Sequence, residues 1–121
     1  MALSFGIQNL SGATRGQPIL VAGTSSGSAD TIHTATAVAS TYDEITLMAA
    51  NVDADDTLFI SLGDTSNPIE ITLKGQGTYG QDGEHIILSG HRMSGGDIVK
   101  AWSTNGNDII IWGDVNRVTE S

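Results

Sequence analysis

The stretch EITLMAANVDADDTLFISLGDTSNPIEITLKG (Glu44–Gly75) decides the fold class. Ile45, Leu47 and Ala49 alternate with Thr46 and Met48. After the Asn51–Asp56 cluster, Leu58, Ile60 and Leu62 alternate with Thr57, Phe59 and Ser61. Ile69, Ile71 and Leu73 then alternate with Glu70, Thr72 and Lys74. A period of two places every second side chain on one face, which is the pattern of half-buried strands. Pro68 opens the third run, where a missing N–H is tolerated. The same reading extends outward to Pro18–Ala22, Thr31–Val38, Glu84–Ser89, Asp97–Trp102 and Asp108–Val118, with Gly113 placed for a bulge that would reset the alternation. Clusters of Gly, Asn, Asp and Ser separate the runs, and Asn105-Gly106 has the order favoured by a hairpin turn. The expected fold is all-β, a β-sandwich or jelly roll of roughly eight antiparallel strands.

At its N-terminal end, residues 1–17 differ from the sandwich domain at 18–121. Leu3, Phe5 and Ile7 alternate with small or polar residues before Ser11–Gln17 becomes flexible and polar. Two readings stay open: an extended arm that adds a strand to a neighbouring chain, or an edge strand of the sandwich itself.

Composition narrows the function. The chain has 121 residues, suited to one core, and 15 glycines. It contains no cysteine, which removes disulfides, thiolate metal sites and cysteine nucleophiles together. Fourteen acidic against five basic residues give a net charge of −9, the wrong sign for neutralising phosphates, so nucleic acid is not an expected partner. No apolar run approaches the length of a membrane span, and Met1–Leu10 lacks the pattern of a secretory leader. No membrane partner is expected, and synthesis in a cytoplasm is.

No motif carries chemistry. Gly75, Gly77 and Gly80 spell GxGxxG, but a strand and not a helix follows them, so the dinucleotide reading lacks its required context. Asn51, Asp53, Asp55 and Asp56 offer oxygens for a hard cation, yet they lack the glycine and glutamate of a calcium loop and read as a solvated turn. His33, His85 and His91 have no zinc-site spacing, and His33, on the face of Ala35, reads as packed or interfacial and not catalytic. No GxSxG is present. Trp102 and Trp112 are read as core or interface residues, with sugar stacking as the alternative. Arg92 and Arg117 are two of five cations and are suited to gripping carboxylates on a partner. Catalytic, metal and cofactor sites are therefore expected to be none, and the chain reads as a binding or structural module and not an enzyme.

The segments IHTATAVASTYDEITLMAANVDADDTLFISLGD (Ile32–Asp64), PIEITLKGQG (Pro68–Gly77) and NDIIIWGDVNRV (Asn107–Val118) resemble capsid decoration, or cement, proteins of tailed bacteriophages. The resemblance is one of strand pattern and wording and runs from Thr31 to Val118. It implies a virion protein on the capsid exterior, a homotrimer that binds the major capsid protein and reinforces the shell. On that basis Leu3, Phe5, Ile7, Arg92 and Arg117 are the expected capsid or subunit contacts. A receptor- or carbohydrate-binding domain of a tail or fibre is the alternative, and it would expose an aromatic platform such as Trp102 or Tyr79.

Overall fold

The computed structural model describes residues 3–75 and 83–120. Nine strands and one short 3-10 turn follow in order: β1 (Leu3–Asn9), β2 (Ile19–Leu20), the turn (Ser26–Ser28), β3 (Asp30–Thr34), β4 (Thr41–Asn51), β5 (Asp56–Leu62), β6 (Ile69–Leu73), β7 (His85–Met93), β8 (Ile98–Ser103) and β9 (Ile109–Glu120). They form two antiparallel sheets. One has the order β1-β9-β4-β7, with β2 also on β9; the other runs β3-β8-β5-β6. The fold is a β-sandwich.

Strand β4 shows why. Its burial alternates strictly from Thr41 to Asn51, so Ile45, Leu47 and Ala49 face inward. Across the core, Leu58 and Ile60 of β5 and Val99 and Ala101 of β8 face it from the second sheet, with Ile109, Ile111 and Val115 of β9 completing the layer. Truncating a side chain such as Leu47 to Ala costs about 2–5 kcal/mol in a core of this kind.

Four local expectations change. Gly113 resets nothing, because β4 and β9 stay in register from Thr41↔Thr119 to Asn51↔Ile109. It is glycine because a Cβ there would lie 2.0 Å from the Thr46 carbonyl oxygen. In this sheet the register shifts lie instead between β4 and β7, around Leu47. Asn105-Gly106 makes no hairpin either: it carries the chain from β8 in one sheet to β9 in the other. The third run is only partly apolar-in, since β6 is an edge strand that buries Leu73 but leaves Ile69 exposed. Finally, the Thr31–Val38 run stops as a strand at Thr34, because the N–H groups of Ala35 and Thr36 turn to the Asp97 carbonyl and the Asp43 carboxylate.

Candidate functional site

Of the two readings of Leu3–Asn9, the edge strand is the one this chain adopts. β1 pairs antiparallel with β9, from Leu3↔Glu120 to Asn9↔Asp114. Yet it buries nothing: six of its seven residues are exposed and Gly6 is half-buried. Leu3, Phe5 and Ile7 are 49%, 66% and 72% exposed and share the outer face of the sheet. Their alternation is therefore that of a strand whose apolar side faces outward, away from its own core.

The register fixes what lies beside them. One row crosses four strands as Ile7, Asn116, Glu44 and Arg92. Along it the Asn116 amide donates to Glu44 Oε1 at 2.9 Å, and Arg92 Nε lies 3.7 Å from Glu44 Oε2. The Arg92 guanidinium also sits 4.6 Å from the centre of the Tyr42 ring, a cation–π geometry. The neighbouring row is Phe5, Val118 and Tyr42. Arg92 thus shares the outer face with the β1 row. Beyond a polar row of Asn9, Asp114 and Thr46, the face turns apolar again with Trp112, Met48 and the exposed Ile86.

Arg117 points the other way. It pairs across the ladder with Asp43, donating from Nε to Oδ1 at 2.8 Å and from Nη2 to Oδ2 at 3.0 Å. This bidentate pair ties the guanidinium to Asp43 within the chain, with the Arg117 side chain still partly exposed. Asp43 is fully buried and also accepts His33 Nε2–H at 2.8 Å and the Thr36 N–H at 3.1 Å. Burial would push its carboxyl up, but hydrogen bonds from Arg117, His33 and Thr36, with the Arg117 charge, outweigh it and hold the group below its ordinary range.

The second His33 nitrogen is also occupied: Nδ1 accepts the Ser11 N–H at 3.0 Å. A backbone donor there fixes the neutral Nε2–H tautomer. A histidine beside an aspartate suggests a catalytic dyad, but this ring has no free nitrogen and is buried. It is a clamp. A bulge between Thr31 and His33 turns both Ile32 and His33 inward and makes the arrangement possible. Ser11 Oγ accepts the Thr34 N–H at 2.7 Å, the Gly12 N–H reaches the Ile32 carbonyl, and Leu10 is buried in the core. The segment after β1, read from sequence as flexible, is fastened to β3 at Leu10–Gly12. The clamp joins both sheets and anchors the strap that carries β1.

The side chains of Asn51, Asp55 and Asp56 bond backbone groups of this loop and of the segments packed beside it. The Asn51 amide donates to the Ala54 and Leu73 carbonyls, Asp55 Oδ1 accepts from Gly75 N–H, and Asp56 Oδ1 accepts from Thr57 and Asn105 N–H. Among the described residues, no three His, Cys, Asp or Glu side chains converge to hold a metal. Asp56 Oδ2 is buried without a donor beside Asp108. Burial, the close approach of the Asp56 carboxylate and the charges of Asp56 and Asp53 raise the Asp108 carboxyl above its ordinary range.

Trp102 is 7% exposed and stacks on Phe59, with ring centres 5.5 Å apart and planes 6° from parallel, so it offers no sugar platform. His85 and His91 lie exposed on β7. Gly77, Tyr79 and Gly80 fall outside the described residues. An open hollow of about 380 Å³ is lined by Ser61, Asp64, Asp97 and Lys100, without an imidazole among its lining residues. No protein-family model and no curated protein matches this sequence.

Proposed function

We propose that this chain is a non-enzymatic virion protein that binds the outside of a phage capsid and reinforces the shell, with the major capsid protein as its partner. The observation that carries the reading is the outward row of Leu3, Phe5 and Ile7 on a strand that buries nothing. Apolar side chains displayed together at a sheet edge, continuous with Tyr42 and Arg92, gain free energy only when another surface covers them. The sequence resemblance supplies the kind of surface. The charge of −9 supports an outward-facing module that is kept away from packaged nucleic acid. Many copies on one particle hold firmly even where each contact is weak.

The test is co-sedimentation of purified protein with particles stripped of it. Covering the exposed parts of Leu3 and Phe5 is worth about 2 kcal/mol in total, so changing both to Ser should weaken attachment about 30-fold. The melting temperature should hold, because neither side chain is part of the core. Unchanged attachment would remove the β1 row from the contact.

A further inference from the structure

The side chains of β1 point out of the sheet, but its backbone has a second, in-plane face. β1 is the terminal strand of its sheet, so one row of its N–H and C=O groups has no partner strand among the described residues. Natural proteins blunt such edges with charge, proline, bulges or shortness. Among the described residues the other four edge strands follow that rule, β2 by having only two residues. β7 carries register shifts and the cation Arg92; β3 has five residues and a register shift; β6 has five residues, carries Glu70 and follows Pro68. β1 has none of these devices. It runs seven residues, Leu-Ser-Phe-Gly-Ile-Gln-Asn, without charge, proline or any break in its pairing with β9.

We infer that the free edge of β1 pairs antiparallel with β1 of a second copy of this chain, joining two five-stranded sheets into one. The strand is self-complementary. Only one two-fold register engages all seven residues, and it is centred on Gly6. It sets Phe5 opposite Ile7 of the second copy, and Ile7 opposite Phe5, an aromatic–β-branched pair on each side of the axis. At the axis the two glycines meet without side chains, and space there is open, since a Cβ on Gly6 would touch nothing within 4 Å.

Charge favours the same occupant. Two chains of −9 repel, and they can approach through a strip that carries no charge; a basic partner would be drawn to the acidic surface instead. A seven-residue strand contact falls below the area of a stable standard interface, so the pairing is concentration-dependent in solution and gains where copies are crowded on a surface. The inference does not rest on the shell-binding reading. It concerns backbone pairing at the in-plane edge, with Phe5 and Ile7 as flanking neighbours, whereas that reading needs the outer faces of these side chains covered by the shell.

The chain has no cysteine, which makes cross-linking clean. In the Gly6-centred register, opposed Cα atoms lie about 4.5–5.5 Å apart, within disulfide range, so Gly6→Cys should form a covalent dimer under mild oxidation at about 100 µM. Asn9→Cys should not, because the two Asn9 positions are offset by six residues, about 20 Å. Gly6→Lys places two ammonium groups at the axis and should abolish self-association in sedimentation equilibrium, with circular dichroism unchanged. Wild-type association should strengthen as salt screens the net charge. The inference is overturned if Gly6→Cys stays monomeric, if both cysteine variants cross-link alike, or if Gly6→Lys leaves association intact. Protection of β1 amides from hydrogen exchange only on addition of shell protein, and not with concentration, would give the edge to that protein and overturn it equally.

Discussion

Replacing Asp43 with Asn tests the clamp at its centre. The carboxylate receives four donors: two from Arg117, one from His33 and one from Thr36. An asparagine has a single acceptor oxygen. With that oxygen at Oδ2, its NH₂ faces the Arg117 Nε–H; reversed, the NH₂ faces the donors of His33, Thr36 and Arg117 Nη2. Either rotamer leaves donors opposed and Arg117 without its counter-charge. Breaking a buried ion pair by removing one partner costs about 3–5 kcal/mol. Here the Arg117 side chain keeps 31% of its surface, so water recovers part of that, and about 2–4 kcal/mol remains. For a chain of 121 residues, 3 kcal/mol lowers the melting temperature by about 12 °C. The assay is thermal unfolding at pH 7 and again in acid. Because the folded-state value of Asp43 is lowered, its contribution is complete above the ordinary carboxylate range and is lost as pH falls through that lower value. The gap between wild type and variant should therefore be wide at neutral pH and narrow below about pH 4. A shift under about 3 °C at pH 7, or a gap indifferent to acid, would refute the reasoning.

Two further perturbations act on separate parts of the fold. Asp108→Asn should stabilise the protein by about 1 kcal/mol at pH 7, since the new amide can donate to the orphan Asp56 Oδ2 while its oxygen keeps the Ala54 N–H. The raised Asp108 value means that its favourable contribution is present in acid and lost as pH rises through it, so the advantage of Asn should fade toward pH 4; paired melts at the two pH values check this. Gly12→Ala puts a Cβ 2.1 Å from the Thr31 carbonyl oxygen and should cost about 1–3 kcal/mol through forced displacement of the strap. A lower urea midpoint, with faster amide exchange in β1 than in β4, is the expected result; an unchanged midpoint would show that the strap yields freely.

The parts of the fold legible in sequence are those set by local periodicity. In β4 and β5 the alternation of Ile45, Leu47, Ala49, Leu58 and Ile60 names the buried face directly. Topology was not legible, because turn chemistry fixes how the backbone bends and not which sheet receives the next strand; at Asn105-Gly106 the left-handed residues are Gly106 and Asn107, one position beyond the expected hairpin pair, and the chain crosses between sheets. The site was half legible. The Leu3, Phe5 and Ile7 row stands out as apolar alternation outside the domain, whereas the clamp joins residues 74 positions apart in the chain. One signal for it did exist. Asp43 has the parity of Ile45 and Leu47, and Arg117 that of Ile111 and Val115, so both fall on the inward face, where an ionised group needs an opposite charge. Arg92 and Arg117 look equivalent in sequence, and only the pairing of β4 with β7 and β9 separates the outward cation from the inward one.

The most direct test of the central claim is a count of this protein in purified virions of its source, by quantitative mass spectrometry against the major shell protein. The account predicts a fixed, sizeable ratio to the shell protein. A handful of copies would assign the chain to a tail or fibre, and absence from the particle would contradict the account outright.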